Sequence, residues 1–440
     1  MRPGRPPWGL PCAVLLRAPL FLLLLLLLLA LAAPAQASMF ARPCSDPVVF
    51  RDAAVNALVL PWRADAGAAR LQATGQQISS LAHLQLLMGM LPLGSIGAVD
   101  LVAGPGAICD VDEVLMRVSR QGVQGGTLAP GQAVVAIWGR LFEQEGELFV
   151  QTYLRFARQG EAGLAPETLA LRWGGMQLQA GLPVQALAFA PRRIRLDDLA
   201  RIDAASRAAL RVRATPDASA PGVEIARASR DGLPYWITEQ RGDWLRLTPM
   251  RDGLPAGWVR ARSGDEIPEW SLSRWLPELD FAQGVAGWLR LQAGGVTEAE
   301  RVRLAAYVET ALTRYEAAVP AALAPSAWGL AAALRGQLAW VRGDRPAAAR
   351  AFAQAHERLP ASAAAANLAA VSALAGQPAN AETAQTLGRN LLGALALAPE
   401  DTLLRANLTA LYRAFAEEPR WSPFNAAELA ERLQVLRSAR

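Results

Sequence analysis

"AVVAIWGRLFEQEGELFVQTYLRF", residues 133–156, is the stretch on which the fold class turns. Two apolar-rich runs flank Glu145-Gly146, and in the second run Leu148, Val150, Thr152, Leu154 and Phe156 recur at every other position. A period of two puts those five side chains on one face of a strand, and the short polar link between the runs predicts a hairpin. Upstream, strand and helix signals alternate. "NALVLP" (56–61) reads as a short buried strand, and "QQISSLAHLQLLMGM" (76–90) sets Ile78, Leu81, Leu84 or Gln85, and Met88 at helical spacing. "IGAVDLV" (96–102) is a second strand, closed by "AGPG". "CDVDEVLMRV" then opens a helix, with Asp110 as N-cap and Glu113 completing a capping-box pattern. Helices between strands with a terminal hairpin predict an α/β domain over residues 38–190.

That order of elements resembles the periplasmic α/β domain of the TolB amino-terminal region, of curli-type secretion lipoproteins and of outer-membrane activators of penicillin-binding proteins. The likeness rests on the opening "LVLP" strand, the long helix and the final "WGRLFEQEGELFVQTYLRF" hairpin. It implies a binding or assembly role and carries no catalytic residues with it.

The chain begins with an export signal. Arg2, Arg5 and Arg17 precede "LFLLLLLLLLALA" (20–32), and Ala35-Gln36-Ala37 has the small-x-small cleavage pattern. The expected product starts at Ser38, is periplasmic, and keeps no membrane span. Of 44 basic residues three lie in the signal (1–37), leaving 41 against 39 acidic ones. That balance gives no electrostatic case for nucleic acid. Cys12 leaves with the signal, and Cys44 and Cys109 remain as a lone pair. In an oxidising compartment a lone pair reads as one disulfide, worth roughly 3–4 kcal/mol for a loop of this length. The remaining length exceeds one ordinary core and predicts several domains.

After a charged linker or helix (191–207), read as a solvated charged face, three segments within residues 208–265 resemble the bacterial SH3 domain. They are Leu210-Arg211-Val212-Arg213 with the loop Pro216 to Pro221, then Gly242-Asp243-Trp244, then Gly257-Trp258-Val259. The "MRDGLP" loop before Gly257 is longer than the family pattern. The resemblance implies a small β-barrel. An interior that small holds few side chains, so at least one of Tyr235, Trp236, Trp244 and Trp258 is expected to line a peptide groove. Completion of a tiny core is the competing expectation. Trp258 is expected to be partly structural and Trp244 the likelier contact.

A linker or helix (266–294) leads to alanine-rich sequence. In "GQLAWVRGDRPAAARAFAQAHERLP" (336–360), Gly336, Ala339, Gly343, Ala348, Phe352, Ala355 and Pro360 fall at the spacings of a tetratricopeptide repeat. Ala332 and Arg335 depart from that pattern. "NLAAVSALAGQP" (367–378) and "NLTALYRAFAEEP" (407–419) resemble later first helices, although Asn367 and Asn407 are further apart than the usual period. "NAETAQTLGRN" is expected to hold the excess. The resemblance implies a degenerate helical solenoid over residues 295–440.

Chemistry is sparse. The chain has two histidines, His83 and His356, no lysine, and neither H-E-x-x-H nor a P-loop. "LGSIG" (93–97) has Leu93 where a nucleophile elbow needs glycine, so Ser95 is read as a strand-entry residue. Glu143 and Glu145 flank a turn, and capping accounts for Asp110, Asp112 and Glu113. No catalytic residue, metal site or cofactor is therefore expected. The expected function is a non-enzymatic cell-envelope scaffold that binds peptide or peptidoglycan through the SH3-like barrel and partner proteins through the repeats. The rival is an accessory factor or diverged hydrolase acting on the cell wall. An oligomeric secretion component is a third reading.

Overall fold

The computed structural model describes residues 44, 47–90, 93, 97–102, 109–120, 127–182, 187–207, 210–225, 235–241, 244–249, 252–260, 272 and 275–438. The expected export signal (1–37) and Ser95 lie outside these residues.

In the main sheet β1 (Val55–Ala64) runs between β2 (Gly97–Leu101) and β3 (Ala133–Gln144), parallel to both. β4 (Glu147–Gly160) returns antiparallel to β3. Outside it run β5 (Gly163–Ala165) and two short strands, β8 (Leu187–Ala188) and β9 (Arg192–Arg193). The β3–β4 hairpin closes at Glu145 and Gly146, with φ of +54° and +78°. Two left-handed residues match the twist of the flanking strands, which is why glycine stands second.

The two faces of β1 enter different cores. Val55, Ala57 and Val59 join helix α1 (Gln72–Met90) on one side. Leu58 and Leu60 join helix α2 (Val111–Ser119) on the other. A strand covered on both faces reads as a continuous apolar run rather than an alternating one. A register shift between Val59 and Trp62 interrupts the β1–β3 ladder, and the Trp62 N–H donates instead to Ser79 Oγ of α1 at 3.0 Å. Asp110 caps α2, accepting from Asp112 N and Glu113 N. Beside that cap Cys44 and Cys109 are joined in a disulfide, Cα to Cα 4.8 Å.

Residues 191–207, read as a charged linker or helix, hold β9 and helix α3 (Leu196–Arg207). Beyond them β10 (Leu210–Arg213), β11 (Gly222–Ile225), β12 (Tyr235–Arg241), β13 (Trp244–Pro249) and β14 (Gly257–Arg260) form an antiparallel sheet in the order β11-β10-β14-β13-β12. Of the expected barrel the described residues show a five-stranded sheet, in which no ladder joins β11 to β12. Val212, Ile225, Leu245, Leu247 and Val259 pack against Leu84 and Met88 of α1. A helix covers the apolar face.

The carboxy-terminal region is helical: α4 (Glu278–Gln292), α5 (Glu298–Ala318), α6 (Ala324–Val341), α7 (Arg345–Arg358), α8 (Ala363–Ser372), α9 (Ala381–Leu397), α10 (Thr402–Glu417) and α11 (Ala426–Ser438). Thr297, Asp344, Ser362, Asn380 and Asp401 each cap a helix start with a side-chain oxygen, satisfying a free N–H there. Gly336 lets α6 approach α7 so closely that a Cβ would meet the Phe352 ring at 2.5 Å. α4 is buried along nearly its whole length. Its Trp288 meets Phe156 of β4 and its Phe281 meets Phe189, both edge to face. One hydrophobic core therefore runs from Val55 to Leu429. No single helix among the described residues is long and apolar enough to cross a membrane.

Candidate functional site

β6 (Thr168–Trp173) and β7 (Met176–Gly181) form a hairpin that, among the described residues, ladders into neither sheet. Its turn is Gly174-Gly175, with φ of +54° and +81°. Leu169, Trp173, Met176, Leu178 and Ala180 are buried, whereas Ala170, Arg172 and Gln177 are exposed, so one face is apolar. That face lies on α8 and α10. Trp173 Nε1 donates to Gln377 O at 3.0 Å, and its ring lies 6.2 Å from that of Trp421.

Two asparagines hold the strand. Asn407 Oδ1 accepts from Gln179 N at 2.8 Å, and Asn407 Nδ2 donates to Gln179 O at 2.7 Å. Asn367 Nδ2 donates to the same carbonyl at 3.2 Å, and Asn367 Oδ1 accepts from Asn407 Nδ2 at 3.0 Å. Both asparagines are almost fully buried. A side-chain amide carries one acceptor and two donors, the same pairing that a neighbouring strand would offer. The pair thus caps an edge strand, at the two positions that the sequence marks only as widely spaced repeat asparagines. Sequence reading missed the hairpin. Its signal was present as "TLALRWGGMQLQA", alternating apolar residues about a Gly-Gly turn.

The aromatic candidates divide. Trp258 is buried, 6% exposed, with the Arg241 guanidinium 5.0 Å from its ring. Trp244 is half-buried, and Arg260 stands opposite it in the ladder with its guanidinium 6.0 Å from the ring. Alternation places Trp244, Arg246, Trp258 and Arg260 on the face turned away from α1. Tyr235 and Trp236 belong to β12, but their side chains lie outside the described residues. At this edge Glu239 accepts from Arg241 at 2.7 Å and Arg246 at 3.4 Å, and the first of these bonds holds its carboxyl below the usual range.

Two clefts are open to ligands. A cleft of about 820 Å³ beside α2 is lined by Arg51, Asp112, Arg120 and Arg155, with Asp112 paired to Arg155. Of the hydroxyl residues that line it, Ser119 donates through Oγ to Met116 O at 3.0 Å. A pocket of about 280 Å³ lies where β4 and β9 meet α4, α5 and α6. Glu278 and Arg192 form a 2.6 Å ion pair on its wall, and burial pushes the glutamate's pKa up against the pull of that arginine. Neither cleft contains a histidine or cysteine among its lining residues.

His83 is buried in α1. Burial pushes its pKa down to about 4 despite a hydrogen bond with the Val99 backbone, so the ring is neutral at physiological pH. His356 is exposed on α7. Among the described residues no three His, Cys, Asp or Glu side chains are grouped as metal ligands. Glu143 and Glu145 are exposed, Glu143 pairing with Arg70 at 2.9 Å. No family model, curated protein or solved structure matches the chain.

Proposed function

We propose that the protein is an exported, non-enzymatic adaptor of the cell envelope that binds polypeptide through its helical array and a peptide or peptidoglycan through its five-stranded sheet. The observation that carries this reading is the Asn367–Asn407 pair. Two buried side chains are committed to reading one residue's main chain, a use suited to holding an extended strand. In this reading α5 to α11 are a degenerate tetratricopeptide-type array. Residues 208–265 are an SH3-type sheet that has one face on α1 and the other free for ligand.

On that free face tryptophan alternates with arginine. Trp244 supplies an apolar ring, and Arg246 and Arg260 supply charge. Such a surface suits a peptide that carries carboxylates, as the stem peptides of a cell wall do. Cosedimentation of the mature chain with purified peptidoglycan sacculi is the test. Trp244→Ala is expected to weaken retention roughly 30-fold, the effect of losing a contact worth about 2 kcal/mol. It should hardly move the melting temperature. No retention of the parent chain, or equal retention of the variant, would remove the sheet from the binding role.

A further inference from the structure

The β6–β7 hairpin sits where the helical array reads main chain, and we propose that it is a displaceable built-in ligand. The array exchanges it for an extended strand of a partner polypeptide. This deepens the adaptor reading and rests on it for the partner, but not for the exchange itself.

Three features argue for exchange rather than permanent attachment. First, the hairpin is bound to the helices by side chains alone: the two asparagines, the Trp173 indole on Gln377 O, and apolar packing. Among the described residues no backbone ladder ties it to either sheet. Second, its neighbours in the chain are short strands, β5 before it and β8 after it. Release of the whole hairpin returns backbone freedom for every residue of the two strands and the turn, which offsets much of the apolar surface exposed. Segments of this kind open without global unfolding. Third, the vacated site cannot stay empty at low cost. Asn367 and Asn407 are buried, and loss of Gln179 would leave amide groups without partners in a groove lined by apolar side chains.

The same geometry defines the replacement. One residue must present its N–H and C=O together to Asn407, as an edge residue of a strand does. Its neighbours must fill the positions of Leu178 and Ala180, each fully buried. The partner segment is therefore an extended strand of pattern large apolar, any residue, small apolar. A helix satisfies neither requirement, because its main-chain groups are already paired.

The probe is a fluorescein-labelled synthetic peptide of residues 168–181, added in trans to the full mature chain and followed by anisotropy. Saturable binding is expected. Hydrogen exchange should show β6 and β7 amides exchanging at least about tenfold faster than those of β1. A cross-link offers the decisive control: a Cβ at Gly174 would lie 3.2 Å from Ala379 Cβ. Oxidised Gly174→Cys/Ala379→Cys should lose at least about tenfold in peptide affinity relative to Ala379→Cys alone. Because φ at Gly174 is +54°, strain could unfold the pair variant. A peptide carrying Leu178→Ala then provides an independent measure on the parent chain and should bind at least about tenfold more weakly, because only the competitor loses a fully buried side chain. The proposal is overturned if the peptide does not bind, if the locked chain binds it equally well, or if β6 and β7 exchange only together with β1. None of these readouts involves peptidoglycan, so failure here leaves the sheet's proposed role standing, and failure there leaves this one.

Discussion

The β3–β4 and β6–β7 hairpins of this protein have nearly the same turn and opposite supports. Glu145-Gly146 and Gly174-Gly175 both place two consecutive residues in the left-handed region. β3 and β4 then pair over their full length and continue through β1 into a sheet covered on both faces. Among the described residues β6 and β7 pair only with each other, and two asparagine side chains stand in for the missing next strand. A turn sequence thus specifies a hairpin locally and says nothing about what will hold it. A backbone ladder spreads the holding over many residues, whereas an amide clamp concentrates it in two.

Truncation of equivalent leucines tests this contrast with the largest expected effect. Leu154 in β4 and Leu178 in β7 are both fully buried. Leu154→Ala should cost about 3–5 kcal/mol in denaturant unfolding. Leu178→Ala should appear first as faster hydrogen exchange confined to β6 and β7, with a smaller shift of the global midpoint. Equal global losses would mean that the two hairpins unfold as one unit. Next comes the disulfide beside the first hairpin's sheet. Replacing Cys44 and Cys109 together by serine should cost roughly 3–4 kcal/mol, read as a lower denaturation midpoint, and should leave hairpin exchange at β6 and β7 unchanged.

A pH titration separates the regions further. Folding lowers the pKa of His83 from 6.5 to about 4. The folded chain therefore binds fewer protons than the unfolded one between those values. This contribution is complete above pH 6.5 and falls away as pH drops toward 4, a loss of about 3 kcal/mol. Glu278 has the opposite sign. Burial raises its pKa, so its contribution is present below the unfolded value and lost as pH rises through the folded one. Stability measured across pH 4–7 in His83→Leu should lack the acid-side loss. Persistence of that loss would assign it to other groups. The smallest effect belongs to the clamp. Asn407→Ala leaves the Gln179 N–H without its acceptor and its carbonyl with Asn367 alone. A cost of about 1–3 kcal/mol is expected, and hydrogen exchange should localise it to the second hairpin.

Legibility followed the range of each signal. Asp110 was readable as a cap because its partners are two and three residues away. The β3–β4 strands were readable because alternation and turn residues are local. Ile78, Leu81 and Met88 marked a helix, but their spacing could not tell that Leu84 and Met88 would cover a second sheet while Ile78 and Leu81 entered the main core. Gly257-Trp258-Val259 marked a strand. The apolar partner of its sheet is α1, far upstream in the chain. Arg192 sat in a run read as a solvated charged face, yet it forms a buried pair with Glu278 across 86 positions. The site itself was half legible: Asn367 and Asn407 stood out by their spacing, and nothing nearby in sequence pointed to Gln179.

By itself the sequence determined the local elements: the strand–helix alternation before residue 160, the β3–β4 turn, the capped helix starts and the glycine contact between α6 and α7. These depend on dihedral preference, side-chain period and short-range hydrogen bonds, which neighbouring residues settle among themselves. Only the tertiary structure decided that α1 would pack on the core of the five-stranded sheet, and that α4 would pack against the main sheet rather than link two bodies. It also decided that Asn367 and Asn407 would read the main chain of β7. The physical reason is the same in each case. An apolar face or a buried amide specifies that it must be covered or paired, but many surfaces satisfy that requirement, and the choice among them is made by the packing of the whole chain.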